Sequence, residues 1–147
     1  MTMGKFLVRW VVVFILADGL GFLIHAVLLR PTYTTLMQTN PGIMRGDTDA
    51  NAHMLWLQLA YALFAMAVVW MYGKGNTGEG WLGQGFRFGF AVWVISSVYR
   101  YLVYYFVQPW PGMVIAKQIG FELAACLLIG IVLAAMSKND VVVAKSS

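Results

Sequence analysis

The chain has 147 residues, 61% of them apolar and 11% charged, with a net charge of +4. Water-soluble domains run nearer to about 45–50% apolar and about 25% charged, so the charges are too few to coat a soluble globule and the excess apolar surface must face lipid. The single cysteine, Cys126, excludes an internal disulfide or a cysteine-based metal site, and cations scattered at the ends of apolar runs speak against a nucleic-acid surface.

A bilayer crossing takes about 20 predominantly apolar residues. The first such run covers residues 10–29, interrupted only by Asp18 and His25 and closed by Arg30 and Pro31, since proline disfavours helix at the residue before it. Its length and the lack of an A-x-A pattern after it point to a retained span rather than a cleaved leader. Residues 31–52 are polar and rich in Thr, Asn, Pro and Gly, with a short interfacial helix expected around 33–38. A second span is expected over 53–72, capped by Asp49 or Asn51 and ended by Gly73 and Gly75, where Lys74 suits the helix C-terminus. A glycine-rich link leads to a third span over 88–107. Pro109, Trp110, Pro111 and Gly112 then turn the chain into a fourth span over 113–136, followed by a polar tail.

The expected fold is all-α: one membrane domain, a bundle of four transmembrane helices. Lys5, Arg9, Lys74, Arg87, Lys138 and Lys145 flank the spans on one side, against Arg30, Arg45 and Lys117 on the other. Basic residues accumulate on the cytoplasmic side, so both termini are expected inside, with a bacterial inner membrane as the location. Trp10, Trp70, Tyr72 and Trp81 are expected in the inner aromatic belt, and Tyr33, Trp56, Tyr105 and Trp110 in the outer one. Gly85-x-x-x-Gly89, the pair Gly19 and Gly21, and the pair Gly120 and Gly130 mark faces thin enough for close helix approach. No long repeat or inverted pair of broken helices argues for a secondary transporter.

Four ionisable residues fall at bilayer depth: Asp18, Arg100, Lys117 and Glu122. Each charge near a helix centre costs about 2.5–3.5 kcal/mol on insertion scales, so they call for a reason. Arg100 set between Asp18 and Glu122 would serve both carboxylates through its forked donors, while Lys117 snorkels outward. Tyr61, Ser96, Ser97, Tyr101 and Tyr104 lie at similar depth, and Ser97, Arg100, Tyr101 and Tyr104 share one helix face by their spacing. His25 stands two turns from Asp18 on the same side. His53 opens the second span at a similar level, so the two histidines are expected to approach each other.

Each group has a functional and a plain reading, the plain one being the default. His25 and His53 are either axial ligands to a haem or, with Asp18 and Glu122, to a metal ion, or else an interfacial and a helix-start histidine. Asp18, Arg100 and Glu122 are either a proton relay or an ion- or substrate-binding site, or a buried ion-pair network that fixes helix register. The string Asp47-x-Asp49-x-Asn51 opens like a calcium loop, but Ala52 stands where glycine is required and Gln58 where the closing glutamate belongs. No nucleotide loop, nucleophile elbow, zincin helix or haem-attachment motif is present.

The stretch Asp18-Gly-Leu-Gly-Phe-Leu-Ile-His25 followed by Tyr33, and Gly85-Phe-Arg-Phe-Gly89 entering a span that ends in tyrosines, resemble uncharacterised bacterial four-helix integral membrane proteins. The resemblance implies the four-span layout and carries no activity with it. Small size, no catalytic motif, abundant aromatics and nine methionines make a non-catalytic accessory subunit of a larger membrane complex the leading expectation. Its partners would be lipid, other membrane subunits or a second copy, and it would hold lipid, pigment or quinone at the interface. The alternative is a self-contained haem- or quinone-binding redox protein, or a proton-coupled small-molecule carrier, built on Asp18, His25, His53, Arg100, Tyr104 and Glu122.

Overall fold

A computed structural model describes residues 1–77 and 80–140; Lys145 lies outside the described residues. All regular structure among the described residues is helical, in the order α1 (Met3–Phe22), a π-helical stretch (Leu23–Leu28), α2 (Arg30–Thr39), α3 (Asp47–Ala52), α4 (Met54–Gly75), α5 (Trp81–Trp93), a second π-helical stretch (Val94–Val98), α6 (Tyr99–Val107) and α7 (Gly112–Ser137). Four continuous helices are long and apolar enough to cross a membrane: Met3–Leu28, Met54–Gly75, Trp81–Val107 and Gly112–Ser137. These are the four spans of an integral membrane protein, which in lipid must satisfy their backbone hydrogen bonds internally.

Local chemistry sets the breaks. Pro31 cannot donate a backbone hydrogen bond, and the first span leaves regular α-geometry just before it. Leu29 N–H reaches back to Ile24 O at 2.8 Å, one residue further than in an α-helix. Pro31 then sits in the first turn of α2, where a missing N–H costs nothing, so proline here ends one helix and begins the next. The residues expected to cap the second span, Asp49 and Asn51, lie inside the separate short helix α3. His53 occupies the cap position, without a side-chain capping bond. The third helix starts at Trp81 rather than near residue 88, so Gly83 and Gly85 belong to it and not to the link.

The tightest contact joins α5 and α7. A Cβ on Gly89 would fall 2.5 Å from Cys126 O and 2.9 Å from Leu127 Cα, and one on Gly85 would fall 2.9 Å from Gly130 O. A Cβ on Gly130 would in turn meet Gly85 O, and Gly89 Cα at 2.8 Å. The obstacles are backbone atoms that cannot move aside. Gly19 and Gly120 have nothing within 4 Å of a Cβ, whereas a Cβ on Gly21 would collide with the Tyr61 phenol, and the true partner of the Gly85/Gly89 face is Gly130. Two indoles add bonds between spans: Trp10 Nε1 donates to Ala62 O and Trp93 Nε1 to Ile119 O, both at 2.9 Å.

Around these contacts the core gathers Val13, Ala65, Val69, Leu133 and Ala134, all at most 1% exposed. Tyr72 is buried edge-on to Phe88 at 5.0 Å, and Tyr33 and Trp110 pack edge-on at 6.4 Å. These three are therefore packing residues, not belt residues. Among the spans α4 packs chiefly along α1, and Tyr72 meets Phe88 of the third. The bundle is closed near the termini and splayed at the opposite end.

The two chain ends are tied together. Lys5 Nζ and Arg9 Nη2 reach Asp140 at 2.6 and 2.7 Å, and Arg9 also donates to Met136 O at 2.8 Å, capping the end of α7. Partial burial works to raise the Asp140 carboxyl, but the hydrogen bonds from Lys5 and Arg9 outweigh it and hold it below the usual carboxylate range. The contribution of this tie is therefore complete above about pH 4, the ordinary carboxylate value, and is lost as pH falls through the lower folded-state value.

Two outcomes are expected. Gly89→Val will destabilise the detergent-solubilised protein by about 1–3 kcal/mol or more, as overpacking does, while Gly120→Ala leaves the melting temperature unchanged. Asp140→Asn will lower the melting temperature near neutral pH, and the gap to the parent protein will narrow progressively as both are melted at pH values falling below about 4.

Candidate functional site

At the splayed end the four spans enclose a cavity of about 400 Å³, within the range of small-molecule sites. Ala17, Leu20, Gly21 and His25 face it from the first span, Leu57, Ala60, Tyr61 and Phe64 from α4, Ser96, Ser97, Arg100, Tyr101 and Tyr104 from the third, and Gln118, Glu122 and Ala125 from α7. Tyr33, Met44 and Trp110 reach it from the connecting segments. Both π-helical stretches contribute: His25 comes from one, Ser96 and Ser97 from the other. Such wide turns inside helices occur frequently at functional sites.

The polar wall is a directional chain. His25 Nε2 lies 3.1 Å from Glu122 Oε1, and His25 Nδ1 lies 2.7 Å from the Tyr33 hydroxyl. An ionised carboxylate only accepts, so Nε2 carries the proton toward Glu122 and a neutral ring has Nδ1 as acceptor. Tyr33 then donates to Nδ1. Its own oxygen accepts from Gln118 Nε2 at 3.0 Å. Burial holds the Tyr33 phenol above its ordinary value, so its proton stays in place at neutral pH. Tyr101 donates to Glu122 Oε1 at 3.4 Å, and Ser97 sits 3.5 Å from Oε2.

Arg100 approaches Glu122 Oε1 at 3.7 Å while remaining 46% exposed. Its guanidinium lies 4.7 Å from the centre of the Tyr101 ring and donates to the Tyr101 hydroxyl at 3.2 Å. Arg100 is therefore steered by Tyr101 and only loosely held by the acid. Tyr104 stacks edge-on to Tyr101 at 6.3 Å and stands at the mouth.

The residues singled out in the sequence divide into those brought together and those kept apart. His25, Arg100, Tyr104 and Glu122 share the cavity. Asp18 does not join Arg100; it accepts from Gln58 Nε2 at 3.0 Å, between the first two spans. The seven-residue spacing of Asp18 and His25 assumes regular turns, and the π-helical stretch from Leu23 swings His25 out of that register. His53 stays with its own helix end, 2.8 Å from Asp49 O and 3.4 Å from the Asp49 carboxylate. The expected approach of His25 to His53 is not made.

A joint set of His25, His53, Asp18 and Glu122 is thus not assembled, and no group of three or more metal-capable side chains occurs among the described residues. Both ring nitrogens of His25 are engaged, so axial ligation of a haem would break one of these bonds. Lys117 reaches Thr32 at 3.5 Å from an exposed position. Tyr33 and Gln118 were not picked out as site residues: one lies in the polar connection, the other is a neutral amide in an apolar run. The only hint was that a glutamine inside a span requires partners.

No protein-family model, curated protein or solved structure matches this chain.

Tyr33→Phe strips the partner from His25 Nδ1 and from Gln118 Nε2 together. It is expected to cost about 1–3 kcal/mol in thermal or denaturant unfolding, whereas Tyr104→Phe, which removes no hydrogen bond, leaves stability unchanged.

Proposed function

We propose that this chain is a small integral membrane protein, both termini cytoplasmic in a bacterial inner membrane, that holds a lipid-soluble small molecule in the cavity at the splayed end of its bundle. The observation that carries this reading is the cavity itself: an apolar chamber with one polar wall, formed by His25, Glu122, Tyr101 and Arg100. A polar head is received at that wall while an apolar tail leaves between α4 and α6, where the spans do not pack along each other. The excess of Lys and Arg at the other end supports the assigned orientation.

The solid core around Val13, Ala65 and Leu133 between cavity and termini favours holding a molecule over carrying it across. A second reading, accessory subunit of a larger membrane complex, is favoured by α4, which packs chiefly along α1 and presents Leu55, Trp56, Leu59, Leu63 and Trp70 outward. Lipid contact would account for the same face.

Native mass spectrometry of the protein released from its own membrane in mild detergent tests both. A lone chain or homo-oligomer carrying extra small-molecule mass is the expected result, and masses of other polypeptides would favour the subunit reading. Ala60→Trp, at an exposed position on the cavity wall, is expected to remove the small-molecule mass without lowering the melting temperature. Retention of that mass in the variant would place the ligand elsewhere.

A further inference from the structure

Two formally charged side chains stand on the cavity wall, Glu122 at 17% exposed and Arg100 at 46%. The carboxylate is already attended. His25 Nε2 lies 3.1 Å and the Tyr101 hydroxyl 3.4 Å from Oε1, and the Ser97 hydroxyl lies 3.5 Å from Oε2. Trp110 Nε1 and Gln118 Oε1 are unpaired, but they are sealed inside the wall, out of reach of a ligand. Arg100 is the opposite case, accessible and largely unpaired.

A guanidinium carries five N–H donors and no acceptor, and it stays charged at physiological pH. Arg100 uses one of the five, from Nη2 to the Tyr101 hydroxyl at 3.2 Å. The same nitrogen stands 3.7 Å from Glu122 Oε1, beyond hydrogen-bond distance. Nε and Nη1 have no partner among the described residues.

The position is not that of an arginine reaching for the membrane surface. Arg100 lies seven residues before the end of the third span at Val107, about 10 Å of helix inside it. Its guanidinium is held against Tyr101, which is itself 4% exposed, through both the hydroxyl and the ring. A charge so deep in a span is costly and marks a functional site by default.

The unpaired part of the fork matches two oxygens that share a negative charge. A carboxylate or phosphate accepts parallel N–H bonds there and neutralises the cation. An ammonium head is repelled, and a hydroxyl accepts at one point and brings no charge. Beyond the polar wall the chamber is lined by Leu20, Leu57, Ala60 and Phe64, which suit an alkyl chain.

We propose that the cavity takes an alkyl amphiphile with an oxyanion head, the carboxylate of a fatty acid or the phosphate of a lipid, received by the unpaired donors of Arg100. This rests on the reading of the cavity as a binding site and names the chemistry of its ligand.

The test measures direct binding of radiolabelled dodecanoate, dodecanol and dodecylamine to the immobilised full chain in a mild non-ionic detergent near pH 8. Dodecanoate is expected to bind at least about tenfold tighter than dodecanol, as charge-assisted hydrogen bonds provide, and dodecylamine weakest of the three. Arg100→Gln should bring dodecanoate to the level of dodecanol, and Arg100→Lys, which keeps the charge without the fork, should leave part of the preference. Unlabelled dioleoyl phosphatidate then separates the two sources. If it displaces dodecanoate the head is a lipid phosphate, and if it does not the head is a fatty-acid carboxylate; both results support the proposal.

Equal binding of dodecanoate and dodecanol by the parent protein, both lost in Ala60→Trp, would overturn the oxyanion assignment and leave the binding site standing. A dodecanoate preference unchanged in Arg100→Gln would also overturn it. So would a preference that Ala60→Trp does not touch, which would put the oxyanion outside the cavity. Binding of none of the probes by the folded parent protein would overturn the binding-site reading, and the ligand assignment with it.

Discussion

Where two helix backbones touch, no side chain can stand between them, and the contact of Gly85 and Gly89 with Gly130 decides how the rest of this bundle is arranged. It locks the third span onto the fourth along the half nearest the termini. The first span lies against the fourth, and the second chiefly follows the first. Four helices set in this open sequence cannot all touch at both ends. They meet near Tyr72 and Phe88 and part beyond, and the space left over is the cavity. In lipid, where apolar surface gains little by leaving the solvent, close backbone packing and hydrogen bonds between helices decide association. A void bounded by such contacts is a stable feature of the fold.

The polar wall of that void is held by a second device. The two π-helical stretches let helices that remain continuous change their facing partway along. In the first, the change delivers His25 to Glu122 and Tyr33. In the second, Ser97 and Tyr101 are brought to the same carboxylate. With Glu122 ionised and His25 neutral, the chain Gln118, Tyr33, His25, Glu122 runs in one direction, since the carboxylate can only accept and Tyr33 has one proton to give. Low surrounding polarity strengthens such bonds and penalises any group they omit, which is why the unpaired atoms of Gln118 and Trp110 stand out.

The membrane layout was legible in the sequence because lipid imposes a length and a polarity that composition reports directly. The helix in the polar connection and the turn at Pro109 through Gly112 were legible from proline, glycine and polar spacing. At the site, His25, Arg100, Tyr104 and Glu122 were found as ionisable or polar side chains in apolar runs. What escaped was anything depending on helix phase. Asp18 and His25 share a face only under regular geometry, and His25 lies within the π-helical stretch from Leu23 to Leu28. The pairing of Gly130 with Gly85 and Gly89, rather than with Gly120, depends on which helices neighbour each other, which one sequence does not state. Tyr33 and Trp110 read as belt aromatics because exposure, not residue type, tells a belt residue from a wall residue.

The tie between the chain ends bears on the order of assembly. A polypeptide emerges from the ribosome N-terminus first, so the first span is available to enter the membrane before the rest exists. Its Arg9 is nearly buried in the finished bundle, yet the groups that receive it, Met136 O and the Asp140 carboxylate, are separated from it by more than a hundred residues. α1 therefore acquires this polar anchor only after α7 has been synthesised. The last turn of α7 is the point at which α1 is seated.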